Sequence, residues 1–271
     1  MARTPHVAGQ FYEHDPERLK QQIKASFLNP LGPGVLPFTD EKAPRDIIAC
    51  ISPHAGYMYS GMCAAHVYFE LSKQTQPKRI AIFGPNHTGI GGAVTTSVQD
   101  WITPLGIAKI DREDVGHLGI DVDELSHRYE HSIEVQLPFL QYIYGDFKFI
   151  PVIISAPGLR GGVGIEDKIT NMDDVLIIAS SDFTHYEPAD SAREKDSKAI
   201  DAILDMNEER FLEVVGRYNA SICGYAPIVS AIIIAKKLGA KKGELLKYTN
   251  SGDITGDYSS VVAYAAIVFR K

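Results

Sequence analysis

Four side chains in this chain have the types and positions to bind a metal ion together: His54, His87, His185 and Cys223. Imidazole nitrogen and thiolate sulfur are donors for iron, copper and zinc, and imidazole also moves protons near neutral pH. Each histidine follows a short β-branched apolar run by a few residues. Ile47 to Ser52 leads into Pro53-His54-Ala55-Gly56-Tyr57, and Arg79 to Gly84 leads into Pro85-Asn86-His87-Thr88-Gly89. Val175 to Ser180 leads into Ser181-Asp182-Phe183-Thr184-His185. In open α/β sheets ligands bind beyond the carboxyl ends of the strands, so the three histidines are expected at one edge. Pro and Gly beside His54 and His87 fix tight turns that aim a side chain. Asp182 is expected to orient a histidine by accepting its second N–H. Cys223 precedes an expected helix whose N-terminus favours a thiolate, available as ligand or nucleophile. The four are dispersed and form no local motif of the His-Glu-x-x-His kind.

Glu130-His131-Ser132-Ile133-Glu134 is read as helical, with Glu130 and Glu134 on one face. An amphipathic edge and a pocket wall are both open readings for His131 and Glu134; Tyr57 and Asn86 complete the expected pocket. Gly89-Ile90-Gly91-Gly92 lacks both the lysine of a phosphate loop and the spacing of a dinucleotide fingerprint, so no nucleotide cofactor is expected.

These residues need a scaffold, and the remaining pattern supplies one. Phe149 to Ile154 and Val261 to Phe269 read as further strands. Pro16 to Phe27, entered through Asp15, reads as a helix, as do Gly61 to Ser72, Ala189 to Met206, Glu208 to Val215 and Ala226 to Leu238. Residues 93–110 suggest a hairpin-like pair of extended segments, and the Pro- and Gly-rich stretch 30–45 a surface connection. Strand and helix alternate, which predicts one α/β domain over residues 1–271 with a central mixed sheet and helices on both faces.

The 271 residues carry a formal charge of −7, which argues against nucleic acid as a partner. No apolar run reaches the roughly 18 residues needed to cross a bilayer, so no membrane association is expected. The first ten residues lack the zones of a signal peptide, and three cysteines make no disulfide framework. A reducing, cytoplasmic setting follows.

Ser-Pro-His-Ala-Gly-Tyr at 52–57, Gly-Pro-Asn-His at 84–87, Glu-His-Ser-Ile-Glu at 130–134, Ser-Ser-Asp-Phe-Thr-His at 180–185 and Ile-Cys-Gly at 222–224 resemble the Memo family in the same order. So do Ala-Gly-Gln-Phe-Tyr at 8–12 and Asp-Tyr-Ser-Ser-Val-Val-Ala-Tyr-Ala-Ala at 257–266. The resemblance implies a fold similar to class III extradiol dioxygenases, with His54, His87 and Cys223 as metal ligands and His185 as an acid/base histidine beside them. It implies iron or copper as the metal, with zinc as a further option. It makes a radical-SAM enzyme and an AMMECR-type protein candidate partners, as for microbial relatives, and eukaryotic relatives act in receptor-driven cell motility. Those dioxygenases use two histidines and a carboxylate, whereas Cys223 is softer and oxidisable, so ring cleavage does not carry over automatically. Three readings follow: a metal-dependent redox enzyme acting on a small molecule with dioxygen, a binding or scaffold protein that keeps an enzyme-like pocket, and a zinc hydrolase.

Overall fold

The computed structural model describes residues 2–38, 43–155 and 164–271. Its first elements are α1 (Pro16–Leu28), β1 (Ile47–Ser52), α2 (Tyr57–Ser72) and β2 (Arg79–Gly84). A set of short pieces follows: β3 (Val94–Thr96), β4 (Trp101–Thr103), β5 (Gly106–Ile110), α3 (Arg112–Leu118), β6 (Asp121–Val122) and α4 (Glu124–Arg128). A 3-10 turn over Glu134–Gln136 runs into α5 (Leu137–Tyr144), then β7 (Lys148–Ile154), α6 (Ile165–Thr170), β8 (Val175–Ser180) and β9 (His185–Glu187). The chain closes with α7 (Ala189–Leu204), α8 (Glu208–Tyr218), α9 (Tyr225–Lys237), β10 (Lys242–Asn250), α10 (Gly252–Thr255) and β11 (Val261–Arg270).

These elements build a single α/β domain on a mixed sheet in the order β10-β11-β1-β8-β2-β7-β3-β6. Its centre, β1-β8-β2-β7, is parallel throughout, while β11 joins β1 and β10 antiparallel. Every residue of β1 and β8 is buried, although side chains alternate between faces, so both faces of the sheet are covered. One layer is made by α1, α2 and α5, and another by α6, α8 and α9. The parallel centre delivers the carboxyl ends of β1, β8 and β2 to one edge side by side.

Helix and strand expectations mostly correspond to observed elements, with instructive exceptions. Helix α2 starts at Tyr57 rather than Gly61, because buried Tyr57 and Ser60 give its first turn tertiary packing. Only β4 and β5 form a hairpin within 93–110, since β3 pairs with β7 and β6. Residues 130–133 precede the 3-10 turn and are not helical. Strand β10 had no counterpart in the pattern: Lys-Gly-Glu-Leu-Leu-Lys-Tyr-Thr-Asn lacks β-branched alternation and lies at the half-exposed sheet edge. Of the 30–45 connection, residues 39–42 lie outside the described residues. No helix among the described residues is long and apolar enough to cross a membrane.

Candidate metal centre

His54 stands on the turn from β1 to α2, held from behind by the end of β8. Asp182 Oδ1 accepts the backbone N–H groups of His54 (2.8 Å) and Ala55 (3.3 Å). The His54 ring is fixed by Ser180, whose Oγ lies 2.9 Å from Nδ1. That hydroxyl donates to the Ser132 carbonyl at 2.6 Å and accepts from Gln136 Nε2 at 2.7 Å. Its proton is therefore engaged, and its remaining lone pair accepts Nδ1–H from His54. The Nε2 lone pair of His54 is left facing the cavity.

His87 follows β2 and is fixed by the same logic with a charged partner. Its backbone N–H donates to Glu130 Oε2 at 2.6 Å, and Nδ1 lies 2.9 Å from Glu130 Oε1. A fully buried carboxylate bound to Nδ1–H leaves Nε2 as the free donor, the usual outer-shell arrangement for a metal-binding histidine. His131, one residue beyond Glu130, stacks on the His87 ring at 4.6 Å with 18° between planes. One ligand atom from each of His54, His87 and His131 lies within 4.8 Å of the others.

Cys223 reaches the same cavity from the turn entering α9. Its Sγ is 3.3 Å from His54 Nε2 and accepts the Asp182 backbone N–H at 3.3 Å. Gly224 permits this approach: a Cβ there would sit 2.5 Å from the Ser180 carbonyl oxygen and 2.5 Å from Ser181 Cβ. His185 begins β9, its Nδ1 2.8 Å from the Ser221 carbonyl oxygen. A carbonyl accepts only, so Nδ1 carries a proton and Nε2 is the nitrogen left to exchange one.

The electrostatics favour the neutral form of His54 and His131 and the charged form of His87. Burial, then the neighbouring histidines, push His54 well below its ordinary value, and burial lowers His131 to about 4. For His87 burial opposes the charge, yet the hydrogen bond and charge of Glu130 raise it. Glu130 itself is held at about 2, His87 outweighing the opposing effect of burial. His54 and His131, neutral with oriented lone pairs, are in the form a metal needs, and a bound ion would take the place of the second proton on His87.

His54, His87, His185, Asp182, Cys223 and His131 line one cavity of about 950 Å³. Three other expected pocket residues do not line it. Tyr57 is buried and donates to the Val135 carbonyl (2.6 Å), and Asn86 closes its own turn to Ile90, Gly89 and Thr88. Glu134 is buried behind the site against Arg3, His6, Val7 and Tyr12. Two roles also differ from expectation. Asp182 receives backbone N–H groups, and the carboxylate that receives an imidazole N–H is Glu130. At Cys223 the surroundings work against the expected thiolate: burial first, then the charge of Asp182, push its thiol up despite the adjacent helix N-terminus. Glu130 and Ser180 were the residues missed. Glu130 was in view beside His131, but a helical reading of 130–134 directs it away from His87; Ser180 carried no signal beyond ending a strand.

An α/β sheet that collects three histidines and a cysteine at the carboxyl ends of parallel strands defines a protein with a candidate metal site. The family model described as Memo-like protein matches residues 3–268, and the chain belongs to that family. It is 48% identical to a MEMO1 family protein of Methanopyrus kandleri, with all of both chains covered. It is 46% identical to one from Methanosarcina barkeri (98% of this chain, 99% of that one) and 45% identical to one from Sulfolobus acidocaldarius (99% of each).

Proposed function

We propose that this protein is a metal-dependent redox enzyme that acts on a small molecule with dioxygen at the edge formed by β1, β8 and β2. The observation that carries this reading is the convergence of His54, His87 and His131 within 4.8 Å, at the floor of a cavity large enough for a small organic molecule. His54, His87 and His131 would hold the ion, with Cys223 as the adjoining soft donor. Imidazole with a thiolate suits iron, copper or zinc, and the outer-shell partners Ser180 and Glu130 support a resident ion. A bound iron or copper ion supplies one-electron chemistry and a site for oxygen, and coordination would displace the Cys223 proton.

The chain's own residues supply the rest. His185, with Nδ1–H fixed on Ser221, offers Nε2 to the cavity and can take a proton from a substrate hydroxyl or return it. Asp182 keeps the β1 turn in place through two backbone N–H groups, and Ser180 holds the His54 ring on it. A network of fixed rings costs little reorganisation when substrate arrives.

The test is metal analysis of protein purified without an affinity tag, beside His54→Ala, His131→Ala and Cys223→Ala, followed by oxygen uptake. Near-stoichiometric iron or copper in wild type, lost in His54→Ala and His131→Ala, with oxygen consumption abolished by His185→Ala, is the expected result. Failure to take up iron, copper or zinc under anaerobic loading would overturn it.

A further inference from the structure

Beyond the metal, the outer half of the cavity has a chemistry of its own, and it starts at a strained residue. Tyr186 has φ +58°, in the left-handed region that a bulky side chain rarely adopts. Between β9 and β11, Glu187 lies opposite Val261 and His185 opposite Val262, so Tyr186 is the extra residue of a bulge. Bulges re-aim side chains beside functional sites. Here the bulge leaves His185 lining the cavity beside the metal-binding histidines and turns Tyr186 outward, where it is 79% exposed and still lines the cavity. Strain at an exposed aromatic ring persists only where the surrounding structure imposes it; the Tyr186 ring meets the His185 ring edge-on, centroids 5.8 Å apart, and leaves most of its surface open.

The rest of the mouth is consistent with a single ligand class. Phe11, Met58, Tyr59 and Tyr264 add apolar and aromatic surface, and Met58 and Tyr59 are themselves exposed. Ser251, Thr255 and Ser260 add neutral hydroxyls. No lysine or arginine is among the described residues that line the cavity, so nothing there compensates a carboxylate or phosphate on the ligand. The charge at the mouth is negative. Asp257 lines it, held below its ordinary value by the Ser259 hydroxyl and backbone N–H, both bonded to Oδ1. Oδ2 is thereby left to a ligand.

We infer that the substrate is an aromatic molecule whose end remote from the metal site is neutral or cationic, stacked on Tyr186 and facing Asp257, and that anionic analogues are rejected. This deepens the proposed function and rests on it for the word substrate; the binding preference itself does not need the metal.

The test is calorimetry with three phenols of matched size: tyramine (cation), 4-hydroxyphenethyl alcohol (neutral) and 4-hydroxyphenylacetate (anion). Each is titrated into the full chain, zinc-loaded and metal-free. The expected order is tyramine first, the alcohol next and the acid at least tenfold weaker. Asp257→Asn should weaken tyramine alone, by about threefold, as expected for an exposed charge pair. Tyr186→Ala should weaken the alcohol and tyramine roughly tenfold, and Tyr186→Phe should not. Tyr186→Gly separates binding from folding: it should melt at or above the wild-type temperature, because glycine accepts φ +58° freely, while losing the same affinity. Binding of the acid as tight as tyramine in the metal-free chain would overturn the inference. So would the absence of saturable binding by all three at millimolar concentration, or Tyr186→Gly binding like wild type. A chain that takes up no metal yet keeps the ranking would end the redox reading and leave this one standing.

Discussion

At the scale of single residues, the site depends on which nitrogen of each ring carries a proton, and that is set by atoms outside the cavity. Glu130 is the clearest case. Its buried carboxylate takes both the backbone N–H and Nδ1–H of His87, so it fixes ring position and tautomer together. Glu130→Gln can present an oxygen to only one of these donors and brings an NH₂ group against the other. The expected loss in metal affinity is ~10- to 100-fold, typical when an outer-shell partner is removed, and competition with a chromogenic chelator measures it. Ser180→Ala removes a neutral rather than a charged acceptor from behind His54, along with its bonds to Ser132 and Gln136, so its loss in metal affinity should fall at the lower end of that range. Cys223 was legible as a residue of the cavity, but the burial that works against its thiolate was not. A helix N-terminus lowers a thiol only where the thiol sees little else, and here burial and Asp182 dominate. His131 and Glu134 show the opposite limit. Three residues apart in one motif, they occupy opposite sides of the chain, because the segment before the 3-10 turn is not helical and the 3.6-residue period does not apply to it.

Elements carry the next level of control, because the ligands lie on turns whose geometry belongs to packed strands and helices. The strands that place the site were readable as short apolar runs, since residues buried on both faces need no alternation. Strand β10, at the edge, was not. It nonetheless helps hold the segment before His185: Asp196 on α7 accepts from Thr184 Oγ1 (2.6 Å) and from Tyr248 Oη on β10 (2.8 Å). Burial raises this carboxyl to about 6, against the pull of those hydrogen bonds. The unfolded chain, with an ordinary aspartate, loses its proton first as pH rises, so between about pH 4 and pH 6 the folded state binds more protons. Folding stability from this group therefore falls as pH rises through that window, by on the order of 3 kcal/mol, and is flat above it. Asp196→Asn should remove that slope, being less stable than wild type at pH 4.5 and closer to it, or above it, at pH 7.5. Urea titrations at the two pH values measure both; parallel pH profiles in the two proteins would show that Asp196 is not the group responsible.

Across the whole molecule, the sheet edge is completed by chain from its other end, and this is what sequence reading missed most. Local patterns gave no reason to bring residues 2–12 to Glu134. Yet Arg3 donates to Glu134 Oε2 (2.7 Å) and to the carbonyls of His127 and Glu130, with its guanidinium 4.0 Å over Trp101. His6 and Val7 donate backbone N–H groups to the same carboxylate, and Tyr12 its hydroxyl. The segment then passes the cavity, where Phe11 meets the edge of His131 at 4.9 Å. Buried ion pairs contribute little net stability, but removing one partner strands the other, at about 3–5 kcal/mol. Glu134 keeps three donors without Arg3, so Arg3→Ala should cost about 3 kcal/mol, and Arg3→Lys less, since a point charge replaces part of the fork. Pairing Arg3→Ala with Glu134→Gln should recover part of the loss, a coupling that a double-mutant cycle isolates. The strap also bears on the site. If it positions His131 through Phe11, then Phe11→Ala should weaken metal binding while leaving stability closer to wild type than Arg3→Ala does. A core substitution remote from the strap, such as Val214→Ala on α8, should lower stability without changing the affinity of the folded protein. Equal metal affinity in wild type, Phe11→Ala and Arg3→Ala would reduce the strap to a clamp on Glu134. A graded loss would make the amino-terminal segment part of the metal site's frame, although no residue in it was marked by type or spacing as doing chemistry.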